Sequence, residues 1–156
     1  MKNLLDEIRK KNKEGLTVYA DLNGWRVNGG AVPPDLGLTG QVPDLLLDRS
    51  VTQTRVILLE LTVPWDSGHC FKEALDRKCH RYERMTIDLK NNGYDSLNMP
   101  LEIGCCGVIN SRNHAVLATV CSMVGIRGLK RLRGTLARLA LLGSYRIWPG
   151  GARSGA

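Results

Sequence analysis

The chain has no run of about 18 apolar residues, so no membrane-spanning helix is expected. Its first residues, Met1-Lys2-Asn3-Leu4-Leu5-Asp6, are broken by charge too early for a secretory leader. No internal repeat is present. Gly29-Gly30 lacks the lysine of a phosphate-binding loop, and no glycine-rich fingerprint follows a strand, so no nucleotide cofactor is expected. Histidine is scarce, at three residues, and without a nucleophile-turn motif a Ser-His-Asp or Cys-His hydrolase has little support. Cysteines number five, an odd count with Cys105 and Cys106 adjacent, which fits reduced thiols inside a cell better than a disulfide framework. Cys70 and Cys79 beside His69 and His80 match no zinc-knuckle spacing. Acidic residues are missing altogether after Glu102.

What is present is one domain's worth of chain: 156 residues, 43% hydrophobic, enough for a real core without staples. The net charge of +7 is unevenly placed. Residues 1–104 carry 14 basic and 15 acidic side chains, and residues 105–156 carry eight basic ones and no acidic ones. The basic character therefore belongs to the last third.

Residues 4–11 place Leu4, Leu5 and Ile8 on one helical stripe, which predicts a short surface helix. Thr17 to Leu22 reads as a strand, and Trp25 to Gln41, rich in Gly and Pro, as a long loop. Residues 44–48 and 56–63 are apolar runs flanking a polar stretch, as in two central strands joined as a hairpin. A helix is predicted from Phe71 to Lys90 with Leu75, Cys79, Tyr82, Met85 and Leu89 inward, capped by Asn91-Asn92-Gly93. Leu101 to Cys105 is a further strand, which with residues 56–63 can form a right-handed crossover unit. Two helices follow. The first runs from about Arg112 to Val124, with Ser111 as N-cap and Gly125 as stop; the second carries Leu129, Leu132, Leu136 and Leu139 on one side. The expected organisation is a single α/β domain over 1–148, with a core at 17–108, carboxyl-terminal helices at 111–142 and a disordered tail at 149–156.

Pairing the two apolar strands about a turn near Thr52 sets Asp48 opposite Val56, Leu46 opposite Leu58, and Asp44 opposite Glu60. Like charges so placed, with Cβ atoms about 5 Å apart, destabilise a sheet. Glu60 also lies inside an apolar run, where an unpaired carboxylate is costly. A hard divalent cation removes both objections, since Mg²⁺ is commonly held by one or two carboxylates with phosphate and water. The competing reading is a register slipped by one residue, or a Glu60 paired with Arg77 or Arg81. Lys78 stands at the border of the predicted helix's apolar stripe, from which its head can reach the carboxylates and help to orient a water; otherwise it is an ordinary solvated lysine.

The motifs Pro43-Asp44 and Glu60-Leu61-Thr62 resemble the core of PD-(D/E)XK nucleases, with Thr62 where that motif has lysine. Residues 18–121 resemble, more specifically, the restriction-like endonuclease region of non-LTR retrotransposon and related reverse-transcriptase polyproteins. The matching pieces are Val18-Tyr19-Ala20-Asp21-Leu22, Val32-Pro33-Pro34-Asp35-Leu36, Pro43-Asp44-Leu45, Glu60-Leu61-Thr62-Val63-Pro64-Trp65, Ala74 with Lys78 and Arg81-Tyr82, and Pro100-Leu101-Glu102-Ile103-Gly104-Cys105. The resemblance implies a restriction-endonuclease-like mixed sheet flanked by helices, target nicking by Mg²⁺- or Mn²⁺-assisted phosphodiester hydrolysis, and a nuclear location. It implies Asp44 and Glu60 as metal ligands and Lys78 as the relocated catalytic lysine. The family's Cys-His knuckle and Arg-His pair are not found before the first predicted helix, and Cys106 stands where the pattern more often has arginine. A retroelement fragment or detached derivative is the expected origin.

The basic last third suggests a polyanion partner, DNA or alternatively RNA, held by Lys130, Arg131, Arg133 and Arg138. Those residues also support a non-catalytic nucleic-acid-binding module; their plainest reading is a solvated surface covering apolar neighbours. An inactive retroelement remnant is the third alternative.

Overall fold

A computed structural model describes Asp6, residues 16–20, 42–48 and 54–151, with side chains to residue 147. The expected helix at 4–11, apart from Asp6, and the long loop at 25–41 lie outside the described residues. Four strands form one sheet in the order β1 (Thr17–Ala20), β2 (Leu45–Asp48), β3 (Arg55–Thr62), β4 (Asp95–Glu102). The first two neighbouring pairs are antiparallel, and β3 and β4 are parallel, joined through α1 (Gly68–Asn91). Helices α2 (Ser111–Val124) and α3 (Leu129–Gly151) complete a mixed α/β fold.

Strand alternation sorts the core into two halves. Leu46, Val56 and Leu58 meet Tyr82, Met85 and Leu89 of α1 on one face. Leu45, Leu47, Ile57 and Leu59 meet Val116, Leu117 and Val120 of α2 and Leu132, Leu136 and Ala140 of α3 on the other. Strands covered on both faces need apolar residues at nearly every position, hence the continuous runs in β2 and β3.

The hairpin register is the expected one: Asp48 pairs with Val56, Leu46 with Leu58, and Leu45 with Leu59. Strand β4 departs from expectation, beginning at Asp95 and ending at Glu102 instead of running from Leu101 to Cys105. It pairs with the whole of β3, from Arg55↔Asp95 to Thr62↔Glu102, and the alternation of Leu97, Met99 and Leu101 with Ser96, Asn98 and Glu102 runs through it, with Leu97 and Met99 packed against the core. Pro100 is tolerated because β4 is the last strand in the sheet order, where a missing N–H can face outward.

Three helix details also change. α1 starts at Gly68 behind Ser67, whose hydroxyl accepts from the Cys70 N–H at 3.2 Å. Its buried residues are Ala74, Tyr82, Met85 and Leu89, while Leu75 is half-buried and Cys79 exposed. The N-cap of α2 is Asn110, whose Oδ1 accepts from the Asn113 N–H at 2.9 Å, so Ser111 is the first helical residue; Asn caps as well as Ser does. Gly125, with φ of 75°, ends α2 as expected. α3 buries Leu132, Leu136 and Ala140 but leaves Leu139 40% exposed, and it runs to Gly151, past the expected end at 142 and into the expected tail. Gly143 costs a helix only about 1 kcal/mol, too little to stop one that follows the run of good helix formers from Leu136 to Leu142.

Candidate functional site

The β2–β3 register carries Asp44, one residue before β2, to the position opposite Glu60. Both lie on the α1 face, in step with Leu46 and Leu58. Each carboxylate takes a backbone N–H from the other's strand: Asp44 N donates to Glu60 Oε1 at 2.7 Å, and Leu61 N donates to Asp44 Oδ2 at 2.8 Å. These crossed bonds give each carboxylate a backbone donor within the protein.

From above, Lys78 completes the cluster. Its Nζ lies 2.5 Å from Glu60 Oε2, with Glu60 1% and Lys78 14% exposed. Lys78 is four residues from both Ala74 and Tyr82, so it stands on the buried stripe of α1 itself and not at its border. A helix side chain there points straight at the sheet. The cation beside Glu60 is thus Lys78; Arg77 and Arg81 are exposed, with the Arg81 guanidinium 5.4 Å from the centre of the Tyr82 ring. A buried ion pair is sustained when its remaining lone pairs are also satisfied, as Asp44 N does here for Glu60.

Tyr82, read from the sequence as a core residue and as part of the Arg81-Tyr82 motif piece without a role at the site, belongs to this cluster. Its hydroxyl donates to the Val42 carbonyl at 3.1 Å. Burial first, then the neighbouring Glu60 carboxylate, push its pKa well above the ordinary phenol value. It is therefore a fixed hydrogen-bond donor at neutral pH.

A second buried carboxylate shares this face. Glu102 pairs with Thr62 across β3 and β4, two residues beyond Glu60, and is 1% exposed. Its Oε2 accepts from Arg112 Nη1 at 2.7 Å, and its backbone carbonyl accepts from Asn113 Nδ2 at 2.7 Å, while its Oε1 is enclosed without a hydrogen bond. Burial raises the Glu102 pKa, against the pull of Asn113 and Arg112. Glu102, Lys72, Phe71 and Arg112 line a cavity of about 410 Å³. The sequence placed Glu102 in a motif without giving it a partner.

Lys130, Arg131, Arg133 and Arg138 are not brought to the carboxylates. They belong to α3, which packs on the opposite face of the sheet. Lys130, Arg131 and Arg138 are exposed; Arg133 is half-buried, its Nε enclosed without a hydrogen bond.

A third cluster was not foreseen. Asp66, after β3, and Cys105 and Cys106, after β4, bring potential metal-ligating atoms within 4.8 Å of one another. All five cysteines are free thiols. Cys106 N donates to Asp66 Oδ2 at 2.5 Å, and Cys105 Sγ lies 3.4 Å from the same oxygen. Burial opposes ionisation of Asp66, but hydrogen bonds from the Cys106 backbone and from both thiols prevail and hold its carboxyl below the usual range. The hydrogen bond to Asp66, then the neighbouring Cys105, push the Cys106 thiol up to about 11. A Cβ on Gly104 would fall 1.6 Å from Asp66 Oδ1, so only glycine admits the carboxylate there.

No helix among the described residues is long and apolar enough to cross a membrane. No family model, curated protein or solved structure matches the chain.

Proposed function

We propose that the chain is a divalent-metal-dependent DNA endonuclease of the restriction-endonuclease-like kind, related to the nicking domain of non-LTR retroelements and acting in the nucleus. The observation that carries this reading is the convergence of Asp44, Glu60 and Lys78, drawn from the residue before β2, from β3 and from α1 onto one sheet face. Two carboxylates at a cross-strand position, with Asp44 only half-buried, form an all-oxygen donor set suited to Mg²⁺ or Mn²⁺. A bound ion of this kind supplies a lowered pKa for water and polarises a phosphoryl oxygen.

The protein's own groups do the rest. Asp44 and Glu60 would hold the cation, and the bonds that they accept from Leu61 N and Asp44 N fix their orientation. Lys78, tethered by Glu60, presents positive charge where a water must be oriented or phosphate charge offset. In hydrolysis the water oxygen bonds to phosphorus and gives up its proton, while the bond from phosphorus to the leaving sugar oxygen breaks and that oxygen gains a proton. Thr62, which replaces the motif's lysine, has no charge to contribute.

The test is supercoiled plasmid incubated with the protein and Mg²⁺ or Mn²⁺, against chelator and Asp44→Ala. Metal-dependent nicking that the substitution abolishes is expected. Wild-type protein inert with both metals, on single- and double-stranded DNA, would sink the proposal. A second reading, a non-catalytic DNA- or RNA-binding module, is favoured by the exposed Lys130, Arg131 and Arg138 on a helix remote from the carboxylate face. It predicts binding that weakens steeply with salt and needs no divalent ion.

A further inference from the structure

We propose that Asp66, Cys105 and Cys106 form a binding site for a thiophilic divalent cation of the zinc class, separate from the carboxylates at Asp44 and Glu60. The spacing of the ligand atoms carries the argument. Two thiolates on a tetrahedral zinc ion, each about 2.3 Å from it, stand about 3.8 Å apart, and a thiolate and a carboxylate oxygen stand about 3.6 Å apart. Cys105 Sγ and Cys106 Sγ are 3.9 Å apart, and Cys105 Sγ is 3.4 Å from Asp66 Oδ2. These two separations match to within a few tenths of an ångström, and all three ligand atoms lie within 4.8 Å of one another. A disulfide between the same sulfurs would require closure to about 2.05 Å.

The site is held before any ion arrives. Cys105 N donates to the Pro64 carbonyl at 2.8 Å, Gly104 N to Val108 O at 2.9 Å, and Gly107 N to Gly104 O at 2.7 Å. The first joins the loop after β4 to the loop after β3, and the other two fix the shape of the β4 loop itself. Asp66 Oδ1, admitted by Gly104, is enclosed and has no hydrogen bond, so one carboxylate oxygen has not used its acceptor capacity. Cys106 is exposed and opens the site to solvent. Two sulfurs and one oxygen select zinc or cadmium over magnesium and leave a fourth position for water. Such an ion would cross-link two loops that are 39 and 40 residues apart in sequence.

The test is a titration of the full chain, kept reduced, with Cd²⁺ followed through its thiolate charge-transfer absorption, and then with competing Zn²⁺. Saturation at one ion per chain is expected, with Zn²⁺ displacing the signal. Cys106→Ser, an exposed position that leaves the core intact, should weaken binding by more than the roughly tenfold to hundredfold that loss of an outer-shell contact costs. Cys105→Ser should do the same and Asp66→Asn should weaken it, whereas a joint Cys70→Ser and Cys79→Ser variant should bind as wild type does. Absence of a saturating signal, a signal untouched by Cys106→Ser, or one lost with Cys70 and Cys79 would overturn the proposal.

Discussion

Replacing Lys78 with Met removes the cation from a carboxylate that is 1% exposed while keeping most of the side chain's packing. Breaking a buried ion pair by deleting one partner costs about 3–5 kcal/mol, because the other charge stays desolvated. The lower end applies here, since Glu60 keeps its 2.7 Å bond from Asp44 N and Lys78 retains 14% exposure. A loss of about 3 kcal/mol is therefore expected, a large share of a stability of about 5–15 kcal/mol. The companion variant Lys78→Met/Glu60→Gln removes both charges and should recover part of that loss. The four-variant cycle, measured by urea denaturation at neutral pH, should show non-additivity of about 1–3 kcal/mol. Additive effects, or a Lys78→Met variant within about 0.5 kcal/mol of wild type, would refute the reasoning, because the pair would then be neither buried nor coupled.

Glu102 gives a pH signature. Its folded pKa is raised above 4.5, so the folded state holds the proton more tightly and stability falls as pH rises from about that value through the folded pKa. Urea denaturation across this range should show wild type losing stability relative to Glu102→Gln; parallel profiles would count against it. Gly104→Ala should lower stability by about 1–3 kcal/mol in a thermal melt, because the new Cβ meets Asp66 Oδ1 at 1.6 Å. An unchanged melting temperature would mean that the two loops are not so closely joined. Tyr82→Phe should cost about 1 kcal/mol through the lost bond to the Val42 carbonyl, and denaturant midpoints would reveal a neutral substitution if that bond is absent.

The carboxylate site was readable because each step rests on local pattern. Apolar runs on both sides of a polar turn set the β2–β3 register, and the register alone opposes Asp44 to Glu60. Lys78 followed from helical spacing, although its placement on the buried stripe did not, since Cys79 and Leu75 had been assigned inward positions that Ala74 and Lys78 occupy. Six of the eight residues of β4, Asp95 to Pro100, were missed because Pro100 interrupts the alternation of Leu97, Met99 and Leu101, and only the parallel pairing to β3 shows that the strand runs through it. The Asp66, Cys105 and Cys106 cluster was invisible for a related reason: its members meet only after the β3–α1–β4 crossover brings the ends of two parallel strands side by side. The charge partition was real in sequence but misleading in space, since α3 carries its basic residues to the sheet face away from the carboxylates.

Asp44 and Glu60 are proposed to hold a hard divalent cation together, beside Lys78. The most direct test is an electron paramagnetic resonance titration with Mn²⁺ on wild type, Asp44→Asn and the Cys105→Ser/Cys106→Ser variant. One Mn²⁺ bound per chain is expected in wild type, with loss of that binding in Asp44→Asn and its retention when both thiols are replaced. Mn²⁺ binding that survives Asp44→Asn, or no binding to wild type at all, would contradict the proposal.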